Sequence, residues 1–295
     1  MRVHHLNCGA MQPYGGALWD GQTPGFGAAV LACHCLLLEY EAGDDGQGGG
    51  LVLVDTGVAS LDPHADRARQ SPFFLAVDRC NLDPMQSAAA RIRALGRDPA
   101  DVRQIVMTHL DFDHASGLPD FPGAAIHLSA AEARHAQDPH GPIAQMRYRP
   151  AMWSGARSWR TYGGFPDSWF GLPAARLDGV PGEILLVSLP GHTKGHCGVA
   201  IRTRADGEGG TPWLLHVGDA IFNHRELHPG KPGVPTLARA YQWFMQESQV
   251  RRRRSLHALQ DLVRHHGKDV RVVCTHDPSL LPVEQLPAPG LYQRP

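Results

Sequence analysis

Ten residues near the middle of the chain constrain it most: Thr108-His109-Leu110-Asp111-Phe112-Asp113-His114-Ala115-Ser116-Gly117. Two imidazoles and two carboxylates fall within six residues, directly after the apolar run Ile105-Val106-Met107. That run reads as a short buried strand, and the Ala-Ser-Gly-Leu-Pro that follows reads as a turn or helix start. Metal-ligating side chains are commonly held this way, on a tight loop fixed by a strand behind it. A polar loop with two stray histidines is the simpler reading. The rest of the chain weighs against it.

Three more apolar runs end in a donor of the same kind. Ile184-Leu185-Leu186-Val187 leads to Pro190-Gly191-His192-Thr193-Lys194-Gly195-His196. Trp213-Leu214-Leu215-His216-Val217 leads to Gly218-Asp219, and Val270-Arg271-Val272-Val273-Cys274-Thr275 leads to His276-Asp277. Candidate ligands are therefore His109, Asp111, Asp113, His114, His192, Asp219 and His276. Donors scattered along the chain, always at strand ends, suit a site along one edge of a sheet. Imidazoles and carboxylates without thiolate fit zinc, iron or manganese, and seven donors suffice for two ions. His196 and His216 read as supporting or core residues, and His224 and His228 as loop residues, since no strand delivers the last two.

This order of motifs resembles the metallo-β-lactamase superfamily, with its His-x-His-x-Asp-His run, Gly-His-Thr/Ser-x-Gly-His turn, Gly-Asp pair and late His. The resemblance spans nearly the whole chain, from the strand and turn Leu51-Val52-Leu53-Val54-Asp55-Thr56-Gly57 to His276. It implies an α/β fold, a four-layer αββα sandwich of two mixed β-sheets flanked by helices, formed by one domain over residues 1–295. It places His109 and His192 on a first metal ion, Asp113, His114 and His276 on a second, and Asp219 between them. Asp111 stands where the hydrolase motif normally has His. A carboxylate there makes the first site harder and more anionic, so iron or manganese is admitted beside zinc; if too short to reach, it leaves a weakened first site.

The same resemblance implies metal-dependent hydrolysis, in which a metal-activated hydroxide attacks an acyl centre and Asp113 relays a proton. The opening His5-Leu6-Asn7-Cys8-Gly9 and the Thr275-His276-Asp277-Pro278 ending look most like the lactonase branch, which makes a lactone or other carboxylic ester the first expectation. A thioesterase of glyoxalase II type, or a non-catalytic or redox di-metal protein on the same fold, are the alternatives. Lactonases of that branch often carry a Tyr three residues after the bridging Asp. Phe222 holds that place here and lacks the hydroxyl, so His224 or a Tyr of the segment 138–182 would have to substitute.

Composition narrows the partners. With 28 Lys and Arg against 29 Asp and Glu, the formal net charge is −1, which offers nothing for nucleic acid or an anionic membrane. No run approaches the roughly 20 apolar residues of a membrane span, and no apolar leader follows Met1. A cytoplasmic protein acting on a small molecule is expected, with a homodimer left open. The six Cys include no Cys-x-x-Cys pair, and Cys33-His34-Cys35 reads as strand alternation. Glu41 to Gly50 reads as a hairpin loop, Met85 to Leu95 as a helix burying Met85, Ala89, Ile92 and Leu95, and Ala130 to Gln137 as a helix capped by Ser129 with Glu132 completing a capping box. Thr236 to His266 reads as helical with a break near Ser248, and Arg251 to Arg254 as a solvated face. Residues 138–182 look irregular and rich in aromatics, a lid-like insertion whose rings line a substrate pocket.

Overall fold

The computed structural model describes residues 1–40, 49–155, 158–203, 211–230 and 233–286. Most of the loop expected at 41–50, and the end of the Pro-rich tail, lie outside them. Among the described residues twelve strands form two six-stranded sheets. The first holds β1 (Arg2–Met11), β2 (Leu31–Tyr40), β3 (Gly50–Val54), β4 (Val102–Val106), β5 (Ala125–Ser129) and β6 (Ser158–Tyr162), side by side in that order. The second holds β7 (Asp167–Trp169), β8 (Leu172–Arg176), β9 (Ile184–Ser188), β10 (Cys197–Arg202), β11 (Trp213–His216) and β12 (Val270–Val273), again in order. Both are mixed. Strands β1 to β3 pair antiparallel and β3 to β6 parallel, while β7 to β11 pair antiparallel and β11 with β12 parallel.

Helices are α1 (Ala17–Asp20), α2 (Pro63–Arg69), α3 (Pro72–Asp78), α4 (Ala88–Ala94), α5 (Phe112–Ala115), α6 (Ala130–Gln137), α7 (Pro142–Arg147), α8 (Thr236–Met245) and α9 (Gln249–His266). The period of two along each strand divides the apolar side chains between separate cores. Leu36, Leu38, Val52, Val54 and Val106 of the first sheet meet Ile184, Leu186, Val199, Ile201 and Leu214 of the second. Their alternates Leu37, Leu51, Leu53 and Ile105 pack outward with Ala88, Ile92 and Ala136 of α4 and α6. On the far side Leu185, Val187 and Leu215 pack with Leu259 and Leu262 of α9. Strands covered on both faces are apolar throughout, which is why these runs showed no alternation with polar residues. The result is the expected four layers, helix, sheet, sheet, helix. None of the described helices is long and apolar enough to cross a membrane.

Three local expectations change. The helix at 85–95 begins only at Ala88, because the Ser87 side chain caps it by accepting from Ala90 N–H; a short 3-10 turn over Pro84–Gln86 precedes it and leaves Met85 71% exposed. Residues 138–182 are not irregular, since α7, β6, β7 and β8 all lie there and supply the outer strands of both sheets. These strands are short and partly exposed, so their pattern is faint in the sequence. Arg252 is not a solvated residue either: half-buried, it bonds Gln246 Oε1 at 2.8 Å and Gln242 Oε1 at 3.1 Å. The break near Ser248 is present, with Ser248 capping α9.

Leu53, fully buried on β3, tests the outer core of the first sheet. Leu53→Ala should lower stability by about 2–5 kcal/mol, the range for emptying a packed leucine site. Urea unfolding reads this directly, and an unchanged midpoint would contradict the packing described.

Candidate metal centre

All seven candidate donors meet at one edge of the two sheets, on the loops that leave β4, β9, β11 and β12. They gather into two groups. His109, Asp111 and His192 form one, and Asp113, His114, Asp219 and His276 the other, with donor atoms in each group within 4.8 Å of one another. In the first, Asp111 Oδ2 lies 3.0 Å from His192 Nε2 and 3.5 Å from His109 Nε2. In the second, His114 Nε2 lies 3.3 Å from Asp219 Oδ1 and 3.4 Å from Asp113 Oδ2, while His276 Nε2 lies 3.0 Å from Asp219 Oδ2. Asp219 joins the groups, because its Oδ2 is also 3.5 Å from His192 Nε2. Every one of these residues is buried.

Buried imidazoles normally satisfy both ring nitrogens, yet here His109 Nε2, His114 Nε2 and Asp219 Oδ1 have no hydrogen-bond partner. Their lone pairs point into the two groups, so the donor set fits divalent cations. The opposite nitrogens are tied back. His114 Nδ1 bonds Asp55 Oδ2 at 2.8 Å, His109 Nδ1 bonds Thr108 Oγ1 at 3.0 Å, and His276 Nδ1 donates to Ala32 O at 2.9 Å. Thr108 in turn donates its backbone N–H and its hydroxyl to the two oxygens of Asp55, both at 2.8 Å. Such partners select the tautomer that leaves Nε2 free to ligate.

Asp55 works under backbone strain, with φ at +55° in the left-handed region that a residue with Cβ seldom adopts. Burial would raise its carboxyl, but the charge and hydrogen bond of His114 hold it below the ordinary carboxylate range. His196 orients Asp219 from behind: its Nδ1 bonds Leu189 O at 3.0 Å and its Nε2 accepts the Asp219 backbone N–H at 3.0 Å. Burial, then the neighbouring His109, pushes His196 well below the usual histidine range, which keeps Nε2 free to accept. Gly218, at φ +51°, makes that approach feasible, since a Cβ there would lie 2.8 Å from His196 Nε2.

Two further supports were not evident from the sequence. Glu132 is not a capping-box residue; it is a fully buried clamp between the two donor-bearing loops. Its Oε1 accepts from Leu110 N–H at 3.0 Å and Tyr148 Oη at 2.9 Å, and its Oε2 from Thr193 Oγ1 at 2.6 Å and Gly195 N–H at 3.2 Å. Arg147 is also buried, donating to His192 O at 3.2 Å and Met245 O at 2.6 Å, with Nε 3.3 Å from Asp111 Oδ1. Burial would raise the Asp111 carboxyl, yet Arg147 and then His109 hold it well below its ordinary range. A sequence signal existed only for Glu132, a lone acid on a short helix.

The pocket beside the donors is narrow, about 20 Å³. Phe74, Phe112, Phe222, Tyr241 and Met245 form much of its wall, with Asp78 and Arg147 among them. The aromatic rings of 138–182 do not line it. Tyr148 and Trp169 are buried in the cores and Trp153 and Trp159 pack beside Leu110. Nor does His224 line it; its Nδ1 bonds Asp277 Oδ2 at 2.5 Å.

Residues 28–259 match the family model of the metallo-beta-lactamase superfamily. The chain belongs to the metallo-beta-lactamase superfamily. Probable metallo-hydrolase Rv2300c of Mycobacterium tuberculosis is 38% identical over 95% of this chain and 81% of its own. N-acyl homoserine lactonase AttM of Rhizobium radiobacter is 27% identical over 78% of each chain. A solved N-acyl homoserine lactone hydrolase, holding the product N-hexanoyl-L-homoserine at its metal centre, superposes with a TM-score of 0.66, at 20% identity and over 94% of both chains. This superfamily member is thus a metallo-hydrolase with metal-binding residue groups of the dinuclear kind.

Removing the Glu132 clamp should be costly, because Glu132→Ala strands four buried donors at about 1–3 kcal/mol apiece. A loss of at least 3 kcal/mol in denaturant unfolding is expected; a loss below about 0.5 kcal/mol, the scale of an ordinary surface change, would show that the clamp is not formed.

Proposed function

We propose that this metallo-hydrolase opens the acyl C–O bond of a lactone or another carboxylic ester at a dinuclear centre, with zinc as the first expectation. The observation that carries the reading is Asp219, whose two oxygens face both donor groups beside an aromatic-walled pocket. In this reading His109, Asp111 and His192 would hold one ion and Asp113, His114 and His276 the other, with Asp219 facing both groups. Two divalent ions held there supply, when bound, a nucleophilic hydroxide near neutral pH and a Lewis acid for the scissile carbonyl.

The chain does the rest. Asp111 reaches its group despite being shorter than a histidine, and Arg147 against its second oxygen offsets the added charge. That compensation is why zinc is retained ahead of iron or manganese, which a bare extra carboxylate would favour. Asp113, which lines the pocket, would hold an ion and take up the proton given up by the attacking water. The apolar rings hold the acyl part and exclude water. The lactonase relatives and the lactonase-like superposition support this substrate class. The whole of residues 1–295 is taken as the working domain, and the six buried free thiols fit a reducing compartment such as the cytoplasm.

Hydrolysis of N-acyl homoserine lactones and simple alkyl esters tests the reading. Stripping the metal with a chelator should lower turnover by at least about 100-fold, and adding zinc back should restore it. His114→Ala should be inactive while still folded. Turnover of these substrates that survives both chelation and His114→Ala would overturn the proposal.

A further inference from the structure

A second concavity, of about 740 Å³, opens between the loop after β11, α8 and α9. It shares no lining residue with the pocket at the metal centre. α8 turns Arg239 and Trp243 into it, four residues apart and so neighbours on the helix surface, and α9 turns in Arg252, Arg253 and Leu256. With Arg225 from the loop, four guanidiniums line the groove against one carboxylate, Glu226. The chain as a whole has a net charge of −1, so this is a local concentration of positive charge. A concave wall of low dielectric focuses such a field.

Two of the four are already engaged. Arg252, held by Gln242 and Gln246, has its Nη1 3.6 Å from Glu226 Oε2, and Arg225 Nη1 donates to Gly233 O at 2.7 Å. Arg239 and Arg253 are exposed, and among the described residues neither has a hydrogen-bond or ion-pair partner. Both are near enough to act on Arg252. Burial lowers that guanidinium below its ordinary value, Glu226 opposes the shift, and Arg253 and Arg239 add to it. Like charges gathered this way repel, and an anion among them removes the repulsion.

We propose that this groove binds a nucleoside diphosphate, with its two phosphates on Arg239 and Arg253 and its base on the Trp243 ring. A guanidinium fork matches a phosphate group through two parallel hydrogen bonds, and two unpartnered forks suit two phosphates. Trp243 is 62% exposed and offers a flat face to a planar ring. The volume lies within the roughly 300–1,000 Å³ usual for small-molecule sites. Apart from these side chains the chain is net acidic, so a long polyanion such as a nucleic acid strand would be repelled beyond the groove, whereas a short one is not. The site does not depend on what the metal centre hydrolyses.

Calorimetric titration of the full-length, metal-loaded protein with adenosine diphosphate, at about 150 mM salt to screen non-specific attraction, tests this. Phosphates also bind metal ions, so His114→Ala is titrated in parallel and should bind adenosine diphosphate as wild type does. The double variant Arg239→Gln/Arg253→Gln should bind it at least about 10-fold more weakly, as expected for lost charge-assisted hydrogen bonds. Trp243→Ala should weaken it by about 5-fold or more, the worth of base stacking, and should leave binding of inorganic pyrophosphate unchanged. All three side chains are exposed, so these variants should unfold at the wild-type urea midpoint. No binding at about 1 mM adenosine diphosphate, binding lost in His114→Ala, or binding unaltered in the double variant would overturn the site. Pyrophosphate bound as tightly as adenosine diphosphate, with no loss in Trp243→Ala, would overturn the nucleotide assignment. Should His114→Ala fail to fold, the double variant alone decides.

Discussion

Concentrating carboxylates and imidazoles in a buried place is the constraint on which everything else here depends. Asp111, Asp113 and Asp219 lie among His109, His114, His192 and His276, all shielded from water, with several lone pairs left unpartnered. Buried polar groups without partners are costly, and these two groups are of the kind that divalent cations satisfy. The fold meets that cost by rigidity. Strands apolar on both faces lock β4, β9, β11 and β12 between two cores each, so the loops at their ends leave from fixed points. Glu132 then fixes two of those loops to each other, and Asp55 fixes the tautomer of His114.

Arg147 shows how a departure from the family pattern is absorbed. A carboxylate in place of the second histidine adds negative charge to the first donor group, and a buried guanidinium 3.3 Å away offsets it. Because Arg147 also holds the backbone of His192 and of Met245 at the end of α8, the compensation is built into the packing around the pocket. Asp111 and Arg147 are therefore best regarded as one unit.

The donors were legible in the sequence because each follows an apolar run directly, and a strand end is a local feature. The sandwich was legible through the same runs and the resemblance they carry. What supports the donors was not. Glu132 looks like a capping residue until α6 is seen beneath the His192 turn, and Arg147 comes from a helix whose position no local pattern reveals. The segment 138–182 was misread for a related reason: β6 to β8 are short outer strands with exposed residues, so neither alternation nor a continuous apolar run marks them. Its aromatics pack into the cores, and the pocket walls come from α3, α5 and α8 and from Phe222.

The central claim is that Asp111 completes a first ion site joined to the second through Asp219. Elemental analysis of the protein purified without added metal tests it most directly. The account predicts about two divalent ions per chain, mostly zinc, falling to about one in Asp111→Ala. A wild-type content of one ion or none, or two ions retained in Asp111→Ala, would contradict it.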